Sequence, residues 1–313
     1  MAKNPAKPKI ILDCDPGHDD AMAIILAAKH CDVLGITTVT GNVNLELTTH
    51  NALLMTQLLK VNIPVHAGAS HALNQANAHA PDIHGKTGLG GPKLPKLKRK
   101  VASNNAVQFI IDTIRQHDDV WLVPVGPLTN IALAIRQAPD IVKEIKGISL
   151  MGGSNSFGNR TPAAEFNIYA DPEAADIVFS SGANLMMCGL NLTHQFLVTA
   201  PDISELRQMK TFLSTFVSDM LEFFARAYSA RLGDLKAPLH DPCAVLAITH
   251  PQLIHFEDRH VVVELHGKHT RGMTLVDERE FRNTTTKPNV KVGISIKTKP
   301  AMKLVKEAVR SFN

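Results

Sequence analysis

The sequence predicts an α/β protein with a single large domain: a mixed, mostly parallel sheet with helices on both faces. Three observations carry this. Short apolar runs with strand character alternate with helix-length segments along most of the chain, the rhythm of βαβ units. No shift in composition and no internal repeat divides the 313 residues. Two late strand-like runs, His260–Leu265 and Met273–Val276, read as a hairpin, which adds an antiparallel component.

The elements follow in order. Lys9–Asp13 (KIILD) reads as a buried strand, closed by the Pro16-Gly17 turn and followed by a helix from Asp19 to Lys29. Val33–Val39 is a second strand, Asn44–Leu59 a helix and Ile63–Ala67 a short strand. A polar loop rich in Gly, Pro and His runs from about Gly68 to Ala102. A helix over Asn104–His117, a strand over Val120–Val125, a helix over Leu128–Gln137 and a strand over Gly147–Met151 come next. A loop rich in Gly and Asn reaches Asn167, after which Asp171–Ser181 is helical and Leu185–Gly189 a strand. Two helices fill Asp202–Arg231, and His240 to Thr249 forms another.

Composition narrows the class. With 44% hydrophobic and 20% charged residues, a chain of this length can bury a core without crosslinks. The four cysteines, Cys14, Cys31, Cys188 and Cys243, make no CxxC or CxxH pair, which argues against zinc and for a reducing, cytoplasmic setting. The net charge of +4 is small, and the basic run Lys96–Lys100 lacks interleaved aromatics, so no nucleic-acid partner is expected. No apolar stretch reaches membrane-spanning length, and the basic start MAKNPAKPK lacks the apolar run of an export signal. Residues 1–8 read as a disordered extension and 9–313 as the domain; the sequons at Asn159, Asn191 and Asn283 are then chance matches.

The strongest local feature is Asp13-Cys14-Asp15-Pro16-Gly17-His18-Asp19-Asp20, with four carboxylates in eight residues between a strand and a helix. In an open α/β sheet, ligands bind at that edge. Asp13 and Asp15 leave the strand on one side, because side chains alternate with period two. The Pro-Gly turn then brings Asp19 and Asp20 close. One or two of these residues can serve as turn formers or helix caps. A helix N-terminus, however, stabilises an anion by only about 1 kcal/mol, too little to offset four crowded charges. A hard cation held by oxygen, Ca²⁺ or Mg²⁺ rather than zinc, resolves the conflict. Further polar groups stand at the same predicted sheet edge: Gly41-Asn42, Gly126 to Asn130, Gly152-Gly153, Glu165 to Asn167, and His240-Asp241.

Read in order, DCDPGHDDA (Asp13–Ala21), TGN (Thr40–Asn42), VGPLTNIALA (Val125–Ala134), MGG (Met151–Gly153), AEFNIYADPEAA (Ala164–Ala175) and HDP (His240–Pro242) resemble the inosine-uridine nucleoside hydrolase family. The resemblance covers roughly residues 9 to 250 and runs more loosely beyond. It implies a Rossmann-like core and calcium-dependent hydrolysis of the N-glycosidic bond of ribonucleosides, in nucleoside salvage. It implies Asp15, Asp20, Asp241 and the main-chain carbonyl of Val125 as Ca²⁺ ligands, with the ribose 2′- and 3′-hydroxyls and a water completing the shell. Asp15 resembles the general base for that water. Asp19 and Asn42 resemble partners of the ribose hydroxyls. Asn159, Glu165 and Asn167, with Phe166 among them, resemble the clamp on the 5′ side, and Asp13 a support behind the ligands. Relatives form homodimers or homotetramers, so the same is expected here.

On the side of the leaving base, His84 and His240 resemble the family's histidines, and either could act as general acid. The only tryptophan, Trp121, lies in a predicted buried strand and reads as core, which argues against stacking of a purine. Tyr228, Arg231 and the Gly233–Pro238 loop stand where the family shapes its base pocket. Uridine or cytidine is the expected substrate, with inosine also possible. The His71–Pro95 loop and the Tyr228–Pro238 segment are candidates for closing over it. Three rivals are weaker. A phosphatase of the haloacid dehalogenase type needs Thr or Val where Gly17 stands, and a phosphate loop at Gly85-Lys86-Thr87 needs Gly where Ala80 stands. A non-catalytic nucleoside-binding protein has no use for the base Asp15.

Overall fold

A computed structural model describes residues 7–279 and 286–312, apart from the side chains of Ala230 and Arg231. In chain order it begins with β1 (Lys9–Cys14), α1 (His18–His30), β2 (Asp32–Thr38), α2 (Leu45–Leu58), β3 (Val65–Ala67) and the single-turn α3 (Pro81–His84). Then come α4 (Ala106–Gln116), β4 (Trp121–Pro124), α5 (Thr129–Gln137), β5 (Gly147–Met151), α6 (Phe166–Ala170), α7 (Pro172–Phe179) and β6 (Leu185–Cys188). The next stretch holds α8 (Leu190–Thr193), β7 (Leu197–Thr199), α9 (Ala200–Gln208), α10 (Phe212–Leu232), β8 (Lys236–Pro238) and α11 (Pro242–Thr249). The chain ends with β9 (Ile254–Arg259), β10 (Val261–Val263), β11 (Thr274–Val276), β12 (Val290–Ile296) and α12 (Thr298–Arg310).

Eight strands form the main sheet in the order β3-β2-β1-β4-β5-β6-β12-β9. All pairs are parallel except β12 with β9. The alternation of β1 shows how the core is divided. Ile10 and Leu12 join the cluster packed by α1, α2, α10, α11 and α12, whereas Ile11 joins the one packed by α4, α5 and α7. A strand buried on both faces reads as a continuous apolar run, which is why KIIL looks as it does. The four cysteines are buried and unpaired. Among the described residues, no helix is long and apolar enough to cross a membrane.

The hairpin β10–β11 exists, but it is a separate two-stranded sheet; the antiparallel member of the main sheet is β9. The long polar loop contains α3, and the loop before Asn167 already turns into α6 at Phe166. The β7–β8 ribbon, β9, β12 and α12 were not expected. Residues 1–6 of the expected extension and the Asn283 sequon lie outside the described residues. In the basic run, Lys96, Lys98 and Lys100 are exposed while Leu97 packs on the core, the pattern of a solvated loop.

Candidate active site

β1 lies between β2 and β4, so the chain leaves its carboxyl end toward one side and returns on the other. Such a reversal opens a crevice at the strand ends. A pocket sits there, reached by Asp19, Asn42, Asn167, His84, His240 and Asp241 from distant parts of the chain. Trp121 pairs with Ile10 and Gly147, at the far end of the sheet from the pocket.

The carboxylates divide by position. Asp13 continues the Ile11 side of β1 and is buried toward α5, where its Oδ1 accepts from Thr37 Oγ1 (2.6 Å) and Asn130 Nδ2 (2.7 Å). Asp15 lies beyond the strand, fully buried, with Oδ2 accepting from the Asn42 amide N–H (2.6 Å). Among the described residues its Oδ1 has no hydrogen-bond partner. Gly41 and Gly126 close on this carboxyl from two sides, and a methyl on either would overlap it. Asp20 caps its own helix, accepting from the backbone N–H of Gly17 (2.9 Å) and of Asp15 (3.1 Å), and it also accepts from Asn42 Nδ2 (3.2 Å). So a cap role, allowed for one or two of the four, falls to Asp20. The backbone N–H groups of His240 and Asp241, at the start of α11, face the Asp19 carboxylate and work against the rise in its pKa.

Oxygens of Asp19, Asp20 and Asp241 lie within 4.8 Å of one another, and all three residues are buried. Asp15 and Asp20 lie beneath the pocket floor rather than in its lining, whereas Asp19 and Asp241 reach it. Burial first, and then the charges of neighbouring carboxylates, push Asp15, Asp19 and Asp241 well above the usual carboxylate range. Asp20 is raised as well, by burial against the hydrogen bonds it accepts. Crowded buried carboxylates, among which Asp13 Oδ2 and Asp15 Oδ1 have no partner among the described residues, fit a hard divalent cation. Among the described residues this group offers carboxylate oxygens alone, with no nitrogen or sulfur donor in it.

The opposite wall is built by the Gly152–Asn167 loop. Glu165 caps α6, its carboxylate accepting from the N–H groups of Asn167 (2.9 Å), Ile168 (3.1 Å) and Gly153 (3.0 Å). Burial lifts its pKa to about 7 in spite of these donors. Asn159 Oδ1 accepts from the Phe166 N–H (2.9 Å), which folds the loop back on itself. Asn167 Nδ2 donates to the carbonyl of Val125 (2.8 Å) and to that of Met151 (3.1 Å). The carbonyl expected as a metal ligand and the amide expected on the substrate thus meet each other.

The two base-side candidates line the same pocket from α3 and from the residue before Asp241. Burial, with the neighbouring His18 and His240 rings, holds His84 well below the usual imidazole range. Burial, and then His194, lowers His240 to about 3. At neutral pH each therefore offers an uncharged ring, in contrast to the near-neutral titration that histidine suggests from sequence. His240 Nδ1 lies 2.7 Å from Thr193 Oγ1, and Nε2 lies 3.3 Å from the Tyr228 hydroxyl. The Arg231 side chain lies outside the described part of the structure.

Asn130 holds the site from behind. It donates to Asp13 and to the Thr38 carbonyl (3.0 Å), and its Oδ1 accepts from the Ala69 N–H (2.9 Å). Asn130→Ala strands these buried partners, so a loss of about 3 kcal/mol is expected in urea unfolding. A change below about 1 kcal/mol would mean that water replaces the amide.

The model of the family described as inosine-uridine preferring nucleoside hydrolase matches residues 10–303. The chain belongs to this family. The nucleoside hydrolase is 44% identical over 310 residues to the pyrimidine-specific ribonucleoside hydrolase RihB of Escherichia coli strain K12, covering 98% of each chain. Among solved structures it resembles a purine-preferring ribonucleoside hydrolase from Gardnerella vaginalis, with TM-score 0.91, 35% identity, and 97% and 98% of the two chains covered. It also superimposes on an inosine-uridine preferring nucleoside hydrolase from Bacillus anthracis with TM-score 0.81, covering 97% and 99% of the chains; at 21% identity that likeness bears on the fold alone. The protein is thus an N-glycosidase acting on ribonucleosides, and the phosphatase reading falls away.

One lining residue of this hydrolase carries no mark in the sequence: Phe224 sits four residues before Tyr228 on α10 and reads as an ordinary core position. Asp82 and Ile83 reach the pocket only because α3 interrupts the long loop.

Proposed function

We propose that this hydrolase cleaves pyrimidine ribonucleosides, uridine and cytidine, with inosine as a further substrate, and that Ca²⁺ is held by Asp15, Asp20, Asp241 and the carbonyl of Val125. The observation that carries this is the buried carboxylate group with its orphaned Asp15 oxygen, set beneath a pocket whose other side presents two uncharged histidines. Likeness to a pyrimidine-specific relative over the whole chain supports the choice of base. The position of Trp121 away from the pocket supports it too.

Bound Ca²⁺ supplies positive charge that orients the ribose diol and eases deprotonation of water. Asp19 and Asn42 bind the ribose hydroxyls from the α1 side. Asn159, Glu165 and Asn167, with Phe166 beside them, hold the 5′ side. Asp15, whose Oδ1 is free to accept, takes the proton of the attacking water. Positive charge developing on the sugar as the C1′–N bond breaks is stabilised by the surrounding carboxylates. His240, fixed between Thr193 and Tyr228, and His84 face the base, which accumulates negative charge as it leaves. Release of free base from uridine, cytidine, inosine and adenosine, with and without a chelator, tests the reading; no release from any of them would end it.

A leaving-group role for His240 has a separate check. His240→Ala should lower kcat for uridine by about 100-fold while largely sparing an aryl riboside whose leaving group needs no proton. Equal losses on both substrates would remove that role.

A further inference from the structure

The peptide that joins Gly41 to Asn42 carries a hydrogen bond at each end. Its N–H donates to Asp15 Oδ2 at 2.6 Å. Its carbonyl oxygen lies 2.8 Å from Nδ1 of His79. A carbonyl oxygen only accepts, so Nδ1 of His79 carries a hydrogen, whether the ring is neutral or charged. The donors therefore run one way, from His79 through a single peptide to the Asp15 carboxylate. Because the peptide is planar, its two ends turn together, and a bond that fixes the carbonyl also aims the N–H. Bonds in such a chain strengthen one another, since a carbonyl that accepts polarises its own N–H. There is little room for error on the Asp15 side: a Cβ on Gly41 would come within 2.1 Å of Asp15 Oδ2 and 2.9 Å of Pro127.

We propose that His79 is a positioning residue for the hydrolysis: it holds the Gly41–Asn42 peptide so that the Asn42 N–H pins Oδ2 of Asp15 and leaves Oδ1 to the attacking water. The long loop before α3 is stitched down on both sides of that peptide. Ala80 N–H donates to the Asn42 carbonyl (3.0 Å), and Thr40 N–H donates to the Ala69 carbonyl (3.0 Å). Farther out, Gln75 Nε2 donates to the carbonyls of Tyr169 (2.7 Å) and Ala170 (2.9 Å), which ties the loop to α6. Asn42 and Ala80 line the pocket and His79 does not, so His79 acts through the peptide rather than on the substrate. The Asn42 side chain is held separately, by the Asp15 carbonyl (3.1 Å) and Asp20 Oδ2 (3.2 Å). Loss of the His79 donor therefore acts on the Asp15 carboxylate more than on the ribose contact. That consequence rests on the proposed role of Asp15; the hydrogen-bonded chain itself does not.

The test uses the full chain with Ca²⁺ present. Long-range ¹H–¹⁵N correlation reads the His79 ring, and an amide ¹H–¹⁵N spectrum reads Asn42. His79 is expected to be protonated at Nδ1, and the Asn42 amide proton to lie far downfield, as a 2.6 Å bond to a carboxylate requires. His79→Leu keeps the bulk and removes the donor. It should move the Asn42 amide proton upfield and lower kcat for uridine about tenfold with little change in KM. His79→Asn places its amide nitrogen one bond beyond Cγ, where Nδ1 stands in histidine, and should return both readouts toward wild type. A histidine that only braced the loop would leave the Asn42 amide unmoved and gain nothing from Asn over Leu; either result overturns the inference. So does a wild-type His79 that is bare at Nδ1, a measurement that decides even if the variants fold poorly. Failure of the wild type to cleave any nucleoside would instead strike the functional reading and leave the hydrogen-bonded chain standing.

Discussion

Asp15→Asn is expected to abolish cleavage of every ribonucleoside, by about 1000-fold or more in kcat, while the protein stays folded. Asn is nearly isosteric, fits between Gly41 and Gly126, and can still accept the Asn42 N–H bonded to Oδ2 in the wild type. What it loses is basicity at Oδ1, the oxygen with no partner among the described residues. It also removes one negative charge from a group whose members raise one another's pKa values. The metal-free variant should therefore unfold at a higher temperature than the metal-free wild type, opposite in sign to the activity change. Release of uracil under saturating uridine measures the first effect and thermal unfolding the second. Calorimetric titration with uridine separates a lost base from a lost site: binding kept with turnover gone supports the base role. Activity within tenfold of wild type would move that role to another carboxylate.

Much of this was legible because local pattern and site coincide. KIILD followed by four aspartates puts a buried strand and a charge problem side by side, and the strand end delivers the carboxylates to the crevice. Period two also predicts that Asp13 follows Ile11, and in the structure it does, toward Asn130 on α5. Other features depend on partners remote in sequence. β12 owes its place to β6, more than a hundred residues earlier, and β9 (IHFEDR) is an edge strand whose polar residues hide its character. β10 and β11 pair as their sequence suggests, yet nothing local says that they leave the main sheet. His18 looks like an incidental residue until the fold brings in His84, 66 residues away. Depressed imidazole pKa values have the same origin, since they come from burial that only the assembled pocket provides.

Removing divalent cations should stop base release and lower the melting temperature, and the gap between loaded and stripped protein should widen as pH rises. The sign follows from the carboxylates. In the metal-free fold, Asp15, Asp19, Asp20 and Asp241 all have raised pKa values. Above the unfolded value near 4, the stripped folded state therefore holds more protons than the unfolded chain, and it loses stability as pH rises toward the raised values. A bound cation reverses this, because it favours the ionised carboxylates and expels the protons. Metal affinity thus increases with pH over the same window. With free Ca²⁺ at a thousand times its Kd, the stabilisation reaches about 4 kcal/mol. Thermal unfolding in Ca²⁺ and in chelator at several pH values between 5 and 8 provides the check. Curves that converge as pH rises, or that never separate, would mean that the acidic group holds protons rather than metal. Restoring activity to stripped protein with Ca²⁺, Mg²⁺ and Zn²⁺ in turn then identifies the ion. Ca²⁺ should restore most, because it accepts irregular shells of carboxylate, carbonyl and hydroxyl oxygens. Mg²⁺ demands near-octahedral geometry with retained waters, and Zn²⁺ lacks the nitrogen and sulfur donors it favours.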